Sequence, residues 1–414
     1  EDYFRSDGSV LVCTKCDASS AGQSKQLMLM VGKSCAIFGL ATFSAFSAKR
    51  EVKFSGVLLN QLMSFGTVAA TILTAAMQTT WATSTIDTIV TSFAENVADI
   101  SSGSSSGVSH SSLCTVANLG LAPDLWKAQL LNTVFPVLLM TALAVCQNGK
   151  LSLLIGINCF FPDFLASFGK YLVCYRLEEE GMRSIYGLTC PFMPAGAFGG
   201  VAAFCVVGLT GTLIFLVVRL WLWLSQHKPA TAGELPPRHV IFVTRAYKDK
   251  YKLWETERLL RKTLLKLISQ MLPVTYAPAL QMASVSCVLL ASLVLYAWLM
   301  PYIDRTWNLV EVGLLVAASL MTSLTSCLLS NEAHWGRSAW MQWGLLMTIA
   351  MLAGGICFGV GFKFVSELMR ERQERPQAEK PVELPNVDSA GEASQQQQDR
   401  NEEMPAVPAQ TDIP

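Results

Sequence analysis

Apolar runs long enough to cross a bilayer recur from one end of the chain to the other, and they leave few folds open. A run of about twenty residues with few charges reads as a helix through hydrocarbon, because lipid offers the backbone no hydrogen-bond partner. Such runs cover residues 27–48, 56–77, 128–146, 151–172, 199–224, 259–276, 281–300, 309–329 and 340–364. A chain that is 51% hydrophobic and 15% charged fits that reading. The pattern predicts an all-α polytopic membrane protein with about nine transmembrane helices and a disordered C-terminal tail.

Charge placement orients the runs. Alternating them puts seventeen Lys/Arg on one side, among them Lys49, Arg50, Lys53, Lys150 and Arg305, and seven on the other, among them Lys127, Arg176 and Arg337. The richer side is the cytoplasm by the positive-inside rule, so the N-terminus lies outside and the C-terminus inside a plasma or secretory-pathway membrane. The ten Trp fall near expected span ends, as an interfacial belt requires.

This divides the chain into residues 1–26, the end of an extracellular cysteine-rich region; 27–224, a first bundle of five spans with an outside loop at 78–127; 225–258, a basic cytoplasmic linker; 259–366, a second bundle of four spans; and 367–414, a Pro/Gln/Glu-rich tail. The first residue is Glu1 rather than Met, as expected of the C-terminal part of a longer protein or of a truncated reading of its gene. Cys13 and Cys16 read as the last cysteines of a disulfide-rich repeat. Cys174 and Cys190 share one expected outside loop, and a disulfide closing it is worth about 3 kcal/mol in the chain-entropy model.

The stretch 245–270 stands apart. It begins charged and aromatic and ends apolar. Glu255 pairs by spacing with Arg258, and Glu257 with Arg261, one turn apart. Leu260, Leu264, Leu267 and Ile268 recur at helical spacing. The expectation is one helix that starts in water, passes the headgroups near Trp254 and Arg261-Lys262, and enters lipid. Lys248, Lys250, Lys252, Arg258, Arg261 and Lys262 would then meet an anionic inner leaflet, where a basic residue gains about 1 kcal/mol. The plainer alternatives are that these charges only set topology, or that the helix is a soluble amphipathic one with a solvated basic face.

Polar residues inside spans are the other functional candidates, since lipid penalises them. They are Lys33, Asn60, Gln61, Asn158, Asp163, Lys170, Gln270, Gln281 and Glu311. Lys33, Lys170 and Glu311 lie near enough to span ends to reach water. Asp163 is mid-span and follows Pro162, which kinks a helix and frees a carbonyl; a water-filled cavity, a Lys partner or a broken helix would each explain it.

Enzyme signals are poor. The four His, at 110, 227, 239 and 334, have no metal-ligand spacing, and there is no Ser elbow, P-loop or paired-carboxylate motif. The reading is a non-enzyme with no cofactor. A net charge of zero argues against nucleic acid. The expected partners are the bilayer, anionic inner-leaflet lipids and further copies of the chain.

One sequence of features runs Tyr247, Lys248, Tyr251, Trp254-Glu255, Leu260-Arg261-Lys262, Leu265, then Gln281, Pro301-Tyr302 and Asn308 through Glu311. With a cysteine-rich segment before the first span, this resembles the multi-pass C-terminal region of protist surface proteins with ephrin-receptor-like cysteine-rich repeats, the cysteine repeat modular proteins. It is also similar to transient-receptor-potential-like membrane domains. The resemblance implies a channel or sensor whose later spans form the conducting or gating unit. The alternative is a non-conducting surface receptor or adhesion anchor in signalling or regulated secretion. A transporter rests on Pro162-Asp163 alone.

Overall fold

The computed structural model describes eight helices: α1 (Phe54–Thr79), α2 (Gly149–Leu172), α3 (Gly200–Ser225), α4 (Arg238–Thr244), α5 (Glu255–Met271), α6 (Pro278–Leu299), α7 (Arg305–His334) and α8 (Ala339–Ala378). It also describes strands β1 (Tyr3–Arg5), β2 (Cys13–Lys15), β3 (Cys174–Leu177) and β4 (Gly181–Ser184), the connecting residues within 237–272 and 277–308, and helical residues 35, 39, 42, 138, 141, 142, 144 and 145. The strands form two antiparallel hairpins, with Phe4 opposite Thr14 and Tyr175 opposite Arg183. They are the departure from an all-α chain.

Among the described residues, five helices are long and apolar enough to cross a membrane: α1, α2, α6, α7 and α8. Four of them match expected spans 56–77, 151–172, 281–300 and 309–329, with α2 keeping Pro162 within it, and the fifth, α8, covers 340–364 and runs past it. The expected spans at 27–48 and 128–146 lie largely outside the described residues, as do Lys33, Cys16 and Cys190. The Cys174–Cys190 and Cys13–Cys16 expectations therefore have no geometry; Cys174 begins β3 and Cys13 begins β2.

Contacts fix the relative direction of the helices. Asn60 reaches Glu255, Gln61 reaches Trp307, Trp221 reaches Thr256, and Lys150 stands over Trp223. So α1, α2, α5 and α7 begin at one end, where α3 finishes. Ser292 reaches Glu257 and Trp254 meets Tyr296, so α6 also finishes there. We call this the charged end. Ala75, Met282 and Leu329 pack together at the far end.

Two apolar clusters hold the bundle. Phe65, Ile72, Leu265, Leu289, Leu315 and Met321 belong to the larger, which joins α1, α5, α6 and α7 and takes Leu346 and Ile349 from α8. Leu154, Ile157, Trp221, Leu224, Val243 and Leu259 form the second, from α2, α3, α4 and α5. α5 is thus buried on both flanks. Gly169 of α2 lets it approach closely: a Cβ there would stand 2.6 Å from Leu267 Cδ1.

The turn from α6 to α7 is tied to the segment before α5. Lys248 N–H donates to Pro301 O at 2.9 Å, and Ile303 N–H to Ala246 O at 3.1 Å. Asn308 closes the turn, its amide donating to Tyr302 O and its Oδ1 accepting from Tyr302 N–H at 3.1 Å. Asp304 caps α7 through Thr306 N–H at 2.8 Å.

Residues 366–414 form a second unit, separate from residues 1–365. The tail expected to be disordered from residue 367 is instead helical as far as Ala378. Glu367 and Arg370 pair one turn apart at 3.0 Å, and Glu, Arg, Gln and Met are good helix formers. The rest of the tail lies outside the described residues.

Candidate functional site

The helix expected to enter lipid at 259–276 is the largest correction. α5 has seventeen residues and is not apolar enough to face lipid. Yet it runs from the charged end toward the far end, parallel to α1, α2 and α7, because Asn60 meets its first residue and Gly169 meets Leu267 and Met271 near its last turn. Apolar helices sheathe it. Arg258, Arg261, Lys262 and Lys266, within little more than two turns, are only 2, 3, 5 and 7% exposed. Arg258, Arg261 and Lys262 therefore point into the bundle, not at headgroups.

The physical reason is that partners exist inside. Glu255, 4% exposed, accepts from Tyr247 Oη at 2.7 Å, Asn60 Nδ2 at 3.2 Å and Arg258 Nη1 at 3.3 Å. This is the Glu255–Arg258 pair that the spacing predicts. Burial and the Glu255 carboxylate push the Tyr247 hydroxyl well above its usual pKa, so it stays a donor. Arg261 donates to Glu311 Oε1 of α7 at 2.5 Å, with Ser64 Oγ of α1 at 3.5 Å and the Tyr296 ring 5.3 Å away. Glu257, expected to hold Arg261, accepts instead from Ser292 of α6 at 2.7 Å.

Glu311 was expected near enough to a span end to reach water. It is 2% exposed and about 9 Å along α7 from Arg305 at 1.5 Å per residue. Lys262 is near enough to Cys159 of α2 for the two to interact electrostatically. Asp163 follows Cys159 by one turn on α2, and its side chain lies outside the described residues, as does that of Lys170. Gln270 is half-buried in the last turn of α5, Gln281 is buried near the start of α6, and Asn158 is buried on α2.

Aromatic rings close the charged end. Tyr247 stacks on Tyr302 at 4.9 Å, Tyr302 meets Trp307 edge-on, and Trp254 meets Tyr296 edge-on at 5.4 Å. Trp254 is half-buried in this layer rather than set at a headgroup level of its own. Lys248, Lys250 and Lys252 lie outside it, all exposed, with Lys252 paired to Asp249 at 3.0 Å. The basic stretch thus divides into three solvated lysines and four sheathed cations. Tyr296, Ser64 and the pairing of Arg261 with Glu311 had no local signal. Tyr302 and Asn308 were marked only as pieces of a motif, and Glu311 also as a polar residue within a span, without its partner.

Between α1, α5 and α7 lies a small cavity of about 10 Å³, room for about one water molecule, lined by Gln61, Ser64, Phe65, Arg261, Glu311 and Leu314 among others.

Fold and site define a helical protein in which, among the described residues, five helices are long and apolar enough to cross a membrane and a charged helix is sheathed among them. No family model, curated protein or solved structure matches the chain.

Proposed function

We propose that this chain is a transient-receptor-potential-like ion channel or sensor of a cellular membrane, and that α5 is its charge-bearing sensing element. The observation behind the reading is the set of four cations, Arg258, Arg261, Lys262 and Lys266, buried in a helix beside membrane-length ones. Intramembrane cations are costly, and they are kept where they pair, carry ions or protons, or move in the membrane field. The four cations of α5 outnumber its two carboxylates, Glu255 and Glu257, so the helix carries charge that the field can act on at about 2.3 kcal/mol per elementary charge per 100 mV.

The charged end fits the cytoplasmic side, since Lys150, Lys248, Lys250, Lys252 and Arg305 gather there with the finishing Trp223 of α3. That orientation supports nine crossings with α5 counted as an internal one. In that orientation the three exposed lysines would meet the anionic lipids of the inner leaflet.

Recording from purified protein in planar bilayers under voltage steps tests the proposal. Steady or voltage-activated current is expected, with its midpoint shifted by Arg261→Gln. Absence of both ionic and gating current across the physiological range would leave the non-conducting receptor or anchor in its place.

A further inference from the structure

Four buried polar atoms at the cavity between α1, α5 and α7 have no hydrogen-bond partner among the described residues: Arg261 Nε and Nη1, Glu311 Oε2 and Gln61 Oε1. Their side chains are 3, 2 and 0% exposed, and all three line the cavity. The other atoms of these groups are committed. Arg261 Nη2 serves Glu311 Oε1 and Ser64, and Gln61 Nε2 donates to Trp307 O at 2.9 Å. Buried donors and acceptors in native proteins are almost always satisfied, so an occupant that both donates and accepts belongs here.

Charge narrows the occupant. Arg261 and Glu311 already neutralise each other. An added anion would meet Glu311 Oε2, and an added cation would meet the guanidinium. An uncharged molecule meets neither penalty. The opposite wall, with Phe65, Val68, Leu314, Leu315 and Ala318, offers no polar group, and Ser64 Oγ supplies both a donor and an acceptor at the rim of the pair. We propose that this cavity is a water-binding site, in which ordered water joins Arg261 to Glu311 and Gln61 and hydrates the ion pair from inside the bundle.

Such water gives the guanidinium a second partner without exposing it to lipid. Buried waters commonly make about three hydrogen bonds, which the four atoms and Ser64 can provide. The site does not depend on α5 sensing voltage. Hydration can hold in a protein that never conducts, and a conducting protein can have a dry cavity, so the two tests fail separately.

The test is accessibility to the water-soluble thiol reagent 2-aminoethyl methanethiosulfonate, read by peptide mass spectrometry at the substituted position of the full chain in nanodiscs. Ser64→Cys should be modified at least about tenfold faster than Thr67→Cys, which is equally buried one turn on but does not line the cavity. Adding Ala318→Leu, which fills the cavity with methyl groups, should slow modification of Ser64→Cys by about tenfold. Equal rates at positions 64 and 67, or a Ser64→Cys rate indifferent to Ala318→Leu, would overturn the proposal. Because substitutions can disturb folding, the wild-type chain supplies a second reading. A structure resolving solvent should show density within hydrogen-bond reach of Arg261 Nη1 and Glu311 Oε2. A cavity without density there, or occupied by an acyl chain, sinks the idea.

Discussion

Arg261 and Glu311 form an ion pair at 2.5 Å with both side chains almost wholly buried, fifty residues apart in sequence. The pair joins the charged helix α5 to α7, and Ser64 brings in α1 at the same level. Taking one partner away leaves an uncompensated buried charge, which costs about 3–5 kcal/mol. Glu311→Leu and Arg261→Leu should each destabilise the protein by that order in reversible unfolding from mixed micelles. The double change Arg261→Leu with Glu311→Leu should cost less than either, because it removes both charges and keeps volume. Additive losses in this cycle would mean that the two residues do not share an interaction.

How much of this was legible follows from where each signal lives. Helices α1, α2, α6, α7 and α8 could be read from hydropathy because a lipid-facing or core-facing span needs an unbroken apolar run. Glu255 and Arg258 could be paired because one helical turn separates them. Arg261 misled for the same reason. Glu257 stands one turn away, while its real partner lies on another helix, and local spacing carries no trace of that. Amphipathicity misled as well. A polar stripe on α5 looks the same facing headgroups or facing Tyr247, Asn60 and Glu311 inside the bundle. Trp254, Glu255, Tyr302, Asn308 and Glu311 were noticed as separate motif fragments. The charged end is where they meet.

Gly169 sets how closely α2 and α5 approach. Its added Cβ would press Leu267 Cδ1 at 2.6 Å and Met271 at 3.3 Å, both movable side-chain atoms. Gly169→Ala should therefore be near neutral, because Leu267 can turn and helix propensity improves by up to about 1 kcal/mol. Gly169→Ile should overpack the contact and cost about 1–3 kcal/mol. Thermal unfolding of the two variants beside wild type checks this. An Ile variant as stable as the Ala variant would show that the helices have room to spare.

Met300 ends α6 in the left-handed region, with φ 42° and ψ 66°, and Pro301 follows. A side chain costs about 1–2 kcal/mol there, and glycine is the usual residue. Met300 is 39% exposed, so its removal loses only part of a packed side chain. Met300→Gly should raise stability by about 0.5–1 kcal/mol, whereas Met300→Ala, which keeps the Cβ, should not. If both variants lose stability alike, packing of the Met side chain outweighs the backbone strain.

The division of the basic stretch makes a final prediction about lipid. Lys248, Lys250 and Lys252 are exposed beside the charged end, while Arg258, Arg261 and Lys262 are enclosed by α1, α2, α6 and α7. Only the first group can meet headgroups. A basic residue at an anionic surface gains about 1 kcal/mol, and the gain fades within a Debye length of about 8–10 Å at ordinary salt. The wild-type protein should therefore melt at a higher temperature in nanodiscs containing phosphatidylserine than in neutral ones, and added salt should shrink the difference. Replacing Lys248, Lys250 and Lys252 with Gln should remove most of that lipid-dependent difference and leave the melting temperature in neutral lipid nearly unchanged. Arg258→Gln should do the reverse. It breaks a buried contact with Glu255 and lowers stability in both lipids, but preserves the gap between them. A triple variant that keeps the full response to phosphatidylserine would show that the exposed lysines do not touch the headgroups. Loss of the response on Arg258→Gln would mean that α5 exposes its charges to lipid after all.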